Sequence, residues 1–376
     1  MDLRSIYISN GIGIVLLIVL AYVSRTKVQR RHAEDKLYTL MIFGVMLACC
    51  MEAVSYAIDG KLFPGARIIN YIANTYLFSV NLFMPLCVLI YMDLGLYGDK
   101  SRIWREYKIH IIIWLVMFGV TIFNFFVPVS YYITPENVYE RRPVSYVYYV
   151  FIAYYIISAI AMTHRYEREY GTRSFFSIEL FLVPILIGTT LQFVFYGLSL
   201  AWLSSAVGLV GLYMMQQNET AYLDPLTELY NRQYMNNIVA YWKRKGYRFS
   251  GIMVDMDRFK RINDTYGHSE GDDALVNVAG LLKSVFGKGS FVFRFAGDEF
   301  IILIRTDDES MLKRKEAELE KAVRIYNRDS NKPYAIGLSY GHGSYDNTDG
   351  DIDKLMKKMD ENMYEMKKRH HERESA

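Results

Sequence analysis

The sequence predicts a bundle of membrane-crossing helices followed by a separately folded α+β domain. Two observations carry that prediction: nearly all long charge-free stretches lie before Gln216, and from Asn231 onward apolar and charged residues alternate with helix and strand periods. The 52% hydrophobic content of the 376 residues is thus an average over a lipid-soluble half and a water-soluble half. The predicted plan is a multi-pass region over 1–216, a short helical linker over 217–223, and the α+β domain over 224–376. A net charge of +3, with no Lys/Arg block outside short loops, excludes a phosphate-backbone surface and hence nucleic-acid binding. Cys49, Cys50 and Cys87 all lie in apolar stretches without zinc-site spacing, and read as small buried residues.

A helix needs roughly 20 apolar residues to cross the hydrocarbon core. About seven stretches meet that need, at 6–24, 37–58, 70–92, 109–128, 145–163, 178–197 and 200–216. The first lacks a small-x-small cleavage site and reads as an anchor, not a signal peptide. Between the last two, only Gly197-Leu198-Ser199 offers a turn, so six helices is the alternative count. Loop charge favours seven. The loops after helices one, three and five carry twelve Lys and Arg, from Arg25 to Arg173, against five on the other side. The richer loops should face the cytoplasm, which puts the N-terminus outside and Gln216 inside.

Polar groups within such a bundle mark helix contacts or a ligand site. Asn70, Asn74 and Asn81 fall within about 40° of one another on the third helix and predict one polar stripe. Glu52 and Glu179 read as interfacial carboxylates that snorkel. The Tyr-rich outer loop Val129 to Val144 could cap a sensing pocket.

In the soluble half, helix periods are expected over Asn231–Lys245, Glu270–Val285, Asp308–Arg328 and Asp351–His370. Strands are expected over Phe249–Asp255, Phe291–Phe295, Phe300–Arg305 and Tyr334–Tyr345. Antiparallel strands covered by helices give an α+β sandwich. Asp255 and Asp257 then end one strand while Asp298 and Glu299 occupy a hairpin turn. If those strands are neighbours, their carboxylates converge at one edge, which suits a hard divalent cation holding phosphate oxygens. Gly297 permits positive φ in the turn and close approach of a phosphate. Either feature alone is ordinary, since strand-end Asp and Gly-Asp turns are usually solvated; their combination is not.

These residues carry a resemblance. The stretch from Asp224 to Lys368 resembles the GGDEF family of diguanylate cyclases. Asp224-Pro-Leu-Thr-Glu-Leu-Tyr-Asn-Arg232 is similar to the family's opening motif, with Glu228 where Gly is commonest. Asp255-Met-Asp-Arg-Phe-Lys-Arg-Ile-Asn-Asp-Thr-Tyr-Gly-His268, with Gly271-Asp272, resembles its metal and guanine segment. Arg294-Phe-Ala-Gly-Asp-Glu-Phe300 stands at the signature hairpin, and Asp360 to Lys368 is similar to the final helix. The resemblance implies an enzyme that condenses two GTP into cyclic di-GMP with Mg2+ or Mn2+, acting as a homodimer through its GGDEF domains. It implies Asp255, Asp298 and the Met256 carbonyl as metal ligands and Glu299 as a catalytic carboxylate. Asn263 and Asp272 would meet the guanine edge, while the amides of Arg258, Phe259 and Lys260, Gly297 and the Lys367 side chain would hold phosphates.

Three departures stand against the family pattern. Ala296 replaces the first Gly of the signature, His371 stands where an Arg usually assists Lys367, and Gly287 to Ser290 replaces the Arg-x-x-Asp inhibitory motif. The expected whole is a diguanylate cyclase in the inner membrane, anchored in the lipid bilayer and governed by an unknown stimulus. The alternative is a catalytically silent GTP-binding or partner-binding receptor.

Overall fold

The computed structural model describes residues 3–25, 32–170, 178–195, 198–287, 289–345 and 352–375. The chain divides into two compact units: Met1–Arg165 with Ser174–Gln217, and Asn218–Ala376 with Tyr166–Arg173.

The first unit is helical. Its elements are α1 (Leu3–Arg25), α2 (His32–Ile58), α3 (Ala66–Tyr97), α4 (Ser101–Glu106), α5 (Lys108–Phe123), the hairpin β1 (Tyr131–Ile133) and β2 (Tyr139–Arg141), α6 (Ser145–Tyr170), α7 (Ile178–Val194) and α8 (Ala201–Ala221). α1 buries Ile6, Asn10, Gly13, Leu17 and Leu20 at steps of three and four residues. Its opposite face, with Ile8, Ile12, Val15 and Val19, is exposed yet equally apolar. A water-soluble helix would carry charge there, so this face is matched to lipid. Four helices, Leu3–Arg25, Glu34–Ile58, Ala66–Tyr97 and Ser145–Glu169, are long and apolar enough to cross a membrane, while Lys108–Phe123 and Phe181–Gln192 are shorter apolar helices. The length criterion therefore gives four spans among the described residues where the sequence suggested about seven.

The polar residues of this unit correct several expectations. Asn70 and Asn74 do share one network, in which Asn74 Nδ2 donates to Asn70 Oδ1 at 2.8 Å and Ser55 Oγ donates to the same oxygen at 2.9 Å. Asn81 is exposed and takes no part. Asn70 Nδ2 also donates to Asn137 Oδ1 at 3.2 Å, so the loop carrying β1 and β2 is tied onto α2 and α3. Glu52 does not snorkel: it is buried, accepts from Asn10 Nδ2 at 2.9 Å, and is hydrogen-bonded by Ser199 Oγ. The side chain of Glu179 lies outside the described residues. Cys49 and Cys87 are buried, but Cys50 is exposed.

The second unit is built on β3 (Tyr230–Asn231), α9 (Arg232–Lys245), β4 (Phe249–Met256), α10 (Phe259–Tyr266), α11 (His268–Phe286), β5 (Ser290–Ala296), β6 (Glu299–Ile304), α12 (Glu309–Asp329), β7 (Leu338–Tyr345) and α13 (Ile352–Ser375). The strands form one sheet in the order β3-β5-β6-β4-β7. All its pairings are antiparallel except β3 with β5. β4 lies between β6 and β7 and is buried throughout, which is why Phe249 to Met256 reads as an almost continuous apolar run. α9 starts where the Asn231 side chain accepts from the Tyr234 amide, a cap worth about 1 kcal/mol, and buries Tyr234, Met235, Ile238, Val239 and Trp242.

β7 begins later than the sequence pattern suggests. Asn327 of α12 hydrogen-bonds both the carbonyl and the amide of Ile336, at 2.7 and 2.8 Å, and so removes the residues after Tyr334 from the ladder. α13 lies unusually close to the sheet. A Cβ on Gly341 would come within 2.4 Å of the Met359 carbonyl oxygen and 2.3 Å of the Met363 nitrogen, so only glycine lets helix and strand backbones approach so far. That approach fixes where the end of α13 meets the end of β4.

Candidate active site

Asp255 is the penultimate residue of β4 and pairs in register with Glu299, the first residue of β6. The Met256 amide donates to the Asp298 carbonyl at 3.3 Å, which closes the turn Gly297-Asp298 against β4. Gly297 has φ of 51°, in the left-handed region that a side chain disfavours. β4 and β6 are thus neighbours, and Asp255, Asp298 and Glu299 share one edge of the sheet. The Met256 side chain is in the core, so only its carbonyl could serve a ligand.

Helix α13 delivers a cation to this edge. Lys367 Nζ donates to Asp255 Oδ1 at 2.7 Å. Burial raises the Asp255 pKa, and repulsion from Asp298 and Asp257 adds to it, although the Lys367 hydrogen bond acts the other way. The Glu299 carboxyl is likewise raised, first by burial and then by Asp255, Asp298 and Asp360. Partial burial works against the Lys367 charge, yet its bond to Asp255 and the nearby Asp257 and Asp298 hold its pKa above the ordinary lysine value. One lysine therefore leaves the cluster with excess negative charge.

Asp257, expected alongside Asp255, turns elsewhere. It accepts from Ser339 Oγ at 2.6 Å and lies 3.0 Å from His370 Nδ1. His370 was not anticipated, because nothing in its spacing separates it from any polar helix residue. The side chain of His371 lies outside the described residues, as does Lys288 within the Gly287–Ser290 segment.

Beyond Asp257 the chain enters α10 through Arg258, whose φ of 58° aims the following amides out of the helix start. The N-cap residue, Arg258, makes no side-chain cap hydrogen bond. Its first amides have no intrahelical acceptors, and an anion is favoured there by charge as well as hydrogen bonding. Phe259 packs on the core and anchors the turn, while Arg258 and Lys260 are exposed. Gly267 alone separates α10 from α11. Asn263 projects from α10 against α11 so closely that a Cβ on Gly271 would fall 1.9 Å from Asn263 Oδ1. Asp272, the next residue, is exposed.

A second link joins two of the motifs. Arg294 Nη1 donates to both carboxylate oxygens of Asp224, at 3.0 and 3.2 Å, and its Nε donates to the Gly297 carbonyl at 3.0 Å. Both residues belong to motifs read from the sequence. Their pairing ties the opening motif to the carboxylate-bearing turn.

The arrangement fits a divalent cation. Among the described residues no group of three or more His, Cys, Asp or Glu side chains could hold a metal by itself. Magnesium does not require such a cage, since it is usually held by one or two carboxylates with substrate phosphates and water. Asp255, Asp298 and the Met256 carbonyl supply hard oxygens, and the excess negative charge is of the right sign.

The family model for "Diguanylate cyclase, GGDEF domain" matches residues 221–373. Those residues form a GGDEF domain. Over 153 residues the chain is 32% identical to diguanylate cyclase DosC of Escherichia coli, a match covering 39% of this chain and 33% of that protein. It is 31% identical over 157 residues to diguanylate cyclase DgcM of Escherichia coli, covering 40% and 37%. The chain thus spans about a third of the length of the curated relatives it matches. The crystal structure of the GGDEF domain of DgcB from Caulobacter crescentus in complex with c-di-GMP is similar with a TM-score of 0.36 and 27% identity, covering 39% of this chain and 91% of that one.

Proposed function

We propose that this protein is a membrane-bound diguanylate cyclase that condenses two GTP into cyclic di-GMP and two pyrophosphates. The observation that carries this reading is the register of Asp255 opposite Glu299 beside the Asp298 turn, with all three carboxylates intact. A bound Mg2+ or Mn2+, held by Asp255, Asp298 and the Met256 carbonyl, would offset phosphate charge and make the α-phosphorus more electrophilic. The amides of Arg258, Phe259 and Lys260 and the Lys367 ammonium would orient the phosphates. Asn263 and Asp272 would read guanine, the carboxylate accepting from ring and exocyclic N–H groups that adenine does not present in that pattern.

Two GTP molecules in facing domains must meet in line, so the active species is a homodimer. The 3′-oxygen of one GTP forms a bond to the α-phosphorus of the other, the α–β bridging bond breaks, and pyrophosphate leaves; Glu299 would take the hydroxyl proton. The reciprocal step closes the ring.

The membrane unit is the control element in this reading, with seven spans, the N-terminus outside and the GGDEF domain in the cytoplasm of the inner membrane. A periplasm-dependent reporter fused after Asn137 should be active and one fused after Asp99 silent; the reverse would discard that topology. The activity itself is tested by incubating the purified full chain with GTP and Mg2+. Cyclic di-GMP with two pyrophosphates per product is expected. GTP binding without any product would favour the catalytically silent receptor.

A further inference from the structure

The two proposed guanine partners sit on different helices, so the angle between those helices decides whether both can meet one base. Asn263 belongs to α10, Asp272 to α11, and Gly267 between them has φ of 88°. Both side chains must meet one planar base edge, so a small change in that angle would spoil the pair of contacts. The structure holds the two helices together from outside the recognised motifs.

The segment after α12 supplies the hold. Its base is fixed by the two hydrogen bonds between Asn327 and Ile336. From it, Lys332 Nζ reaches Glu270 Oε2 at 3.0 Å and Asp273 Oδ2 at 2.8 Å, both on α11. Tyr334 Oη donates to the Glu270 carbonyl at 3.2 Å. On the other side, Tyr266 at the end of α10 donates to the Pro333 carbonyl at 2.9 Å, and its ring lies 5.8 Å from that of Tyr334. One short segment therefore grips both helices.

The charge pattern has a second effect. Glu270 and Asp273 are three residues apart and face Lys332 together, whereas Asp272 is rotated about 100° from Asp273. Lys332 engages the two flanking carboxylates and leaves Asp272 exposed to meet a base. Lys332 is strongly held in its charged form by Asp273 and Glu270.

We infer that the segment 330–334 is a clasp that sets the guanine site, with Lys332 as a positioning residue for base selectivity. This rests on the diguanylate cyclase reading, because it takes Asn263 and Asp272 as the guanine partners. Lys332 touches neither substrate nor reacting atoms. It acts by holding α10 and α11 at the angle that brings amide and carboxylate to one base. Partly exposed ion pairs are individually weak, so the effect should be moderate and confined to recognition.

The test measures dissociation constants of the full-length protein for GTP and for ITP, which lacks the exocyclic amine, alongside turnover and melting temperature. Lys332→Met should weaken GTP binding about fivefold, narrow the preference for GTP over ITP, and leave kcat and the melting temperature nearly unchanged. Lys332→Arg, which keeps the charge, should restore the preference. Unchanged GTP affinity and GTP/ITP ratio in Lys332→Met would overturn the clasp. So would an equal loss for both nucleotides accompanied by a lower melting temperature, which is the signature of a merely structural contact. Wild-type protein that binds no GTP would overturn the functional reading, and the clasp with it; wild-type binding with an unaffected variant would overturn the clasp alone.

Discussion

Asp93 of the helical unit and Asp255 of the GGDEF domain are both buried carboxylates with a cationic partner, but they are satisfied to different degrees. Asp93 has no exposed side-chain surface. It accepts from Arg102 through Nε at 3.3 Å and Nη2 at 3.2 Å, and from Tyr107 Oη at 2.7 Å. Arg102 in turn lies 3.7 Å from the centre of the Tyr97 ring. Asp255 has one lysine on one oxygen and two further carboxylates beside it. A saturated carboxylate fixes structure, and here it pins the α3–α5 connection. An undersaturated one surrounded by like charge can accept a cation, which is the role proposed for Asp255.

That contrast can be broken first at Asp93. Asp93→Asn leaves the partly exposed Arg102 without its counter-ion and should destabilise the protein by about 2 kcal/mol, read as a lower melting temperature in detergent. A stable variant would mean that saturation does not mark a structural role. The smallest expected effect is at Glu228, which is exposed and has φ of 54°. Glu228→Gly should raise stability by about 0.5–1 kcal/mol by relieving left-handed strain, with turnover unchanged. Denaturant titration resolves that difference, and a loss of stability would show that the Glu side chain contributes something its backbone does not reveal.

The same comparison explains how much the sequence disclosed. In the GGDEF domain, element order, the antiparallel hairpin and the edge where Asp255, Asp298 and Glu299 meet all follow from local signals: a buried run in β4, a Gly-Asp turn, and amphipathic helices. What escaped is long-range. The late start of β7 depends on Asn327, the turning aside of Asp257 on Ser339 and His370, and the grip on α10 and α11 on Lys332 and Tyr334. Apart from Asn327, nine residues before Ile336, none of these partners is near in sequence. In the membrane unit, apolarity locates helices but does not say which polar residue faces which. Asn70 and Asn74 therefore joined a network while Asn81, on the same predicted stripe, did not, and Glu52 proved buried.

Under the proposed function the undersaturated cluster serves chemistry and contributes little to the fold. Asp298→Ala measures this most directly, because the residue is in a hairpin turn and is half-exposed. Cyclic di-GMP formation by the purified full-length variant should fall on the order of a thousandfold, with a melting temperature close to wild type. Turnover at the wild-type rate would contradict the account, as would a loss of activity that merely tracks unfolding.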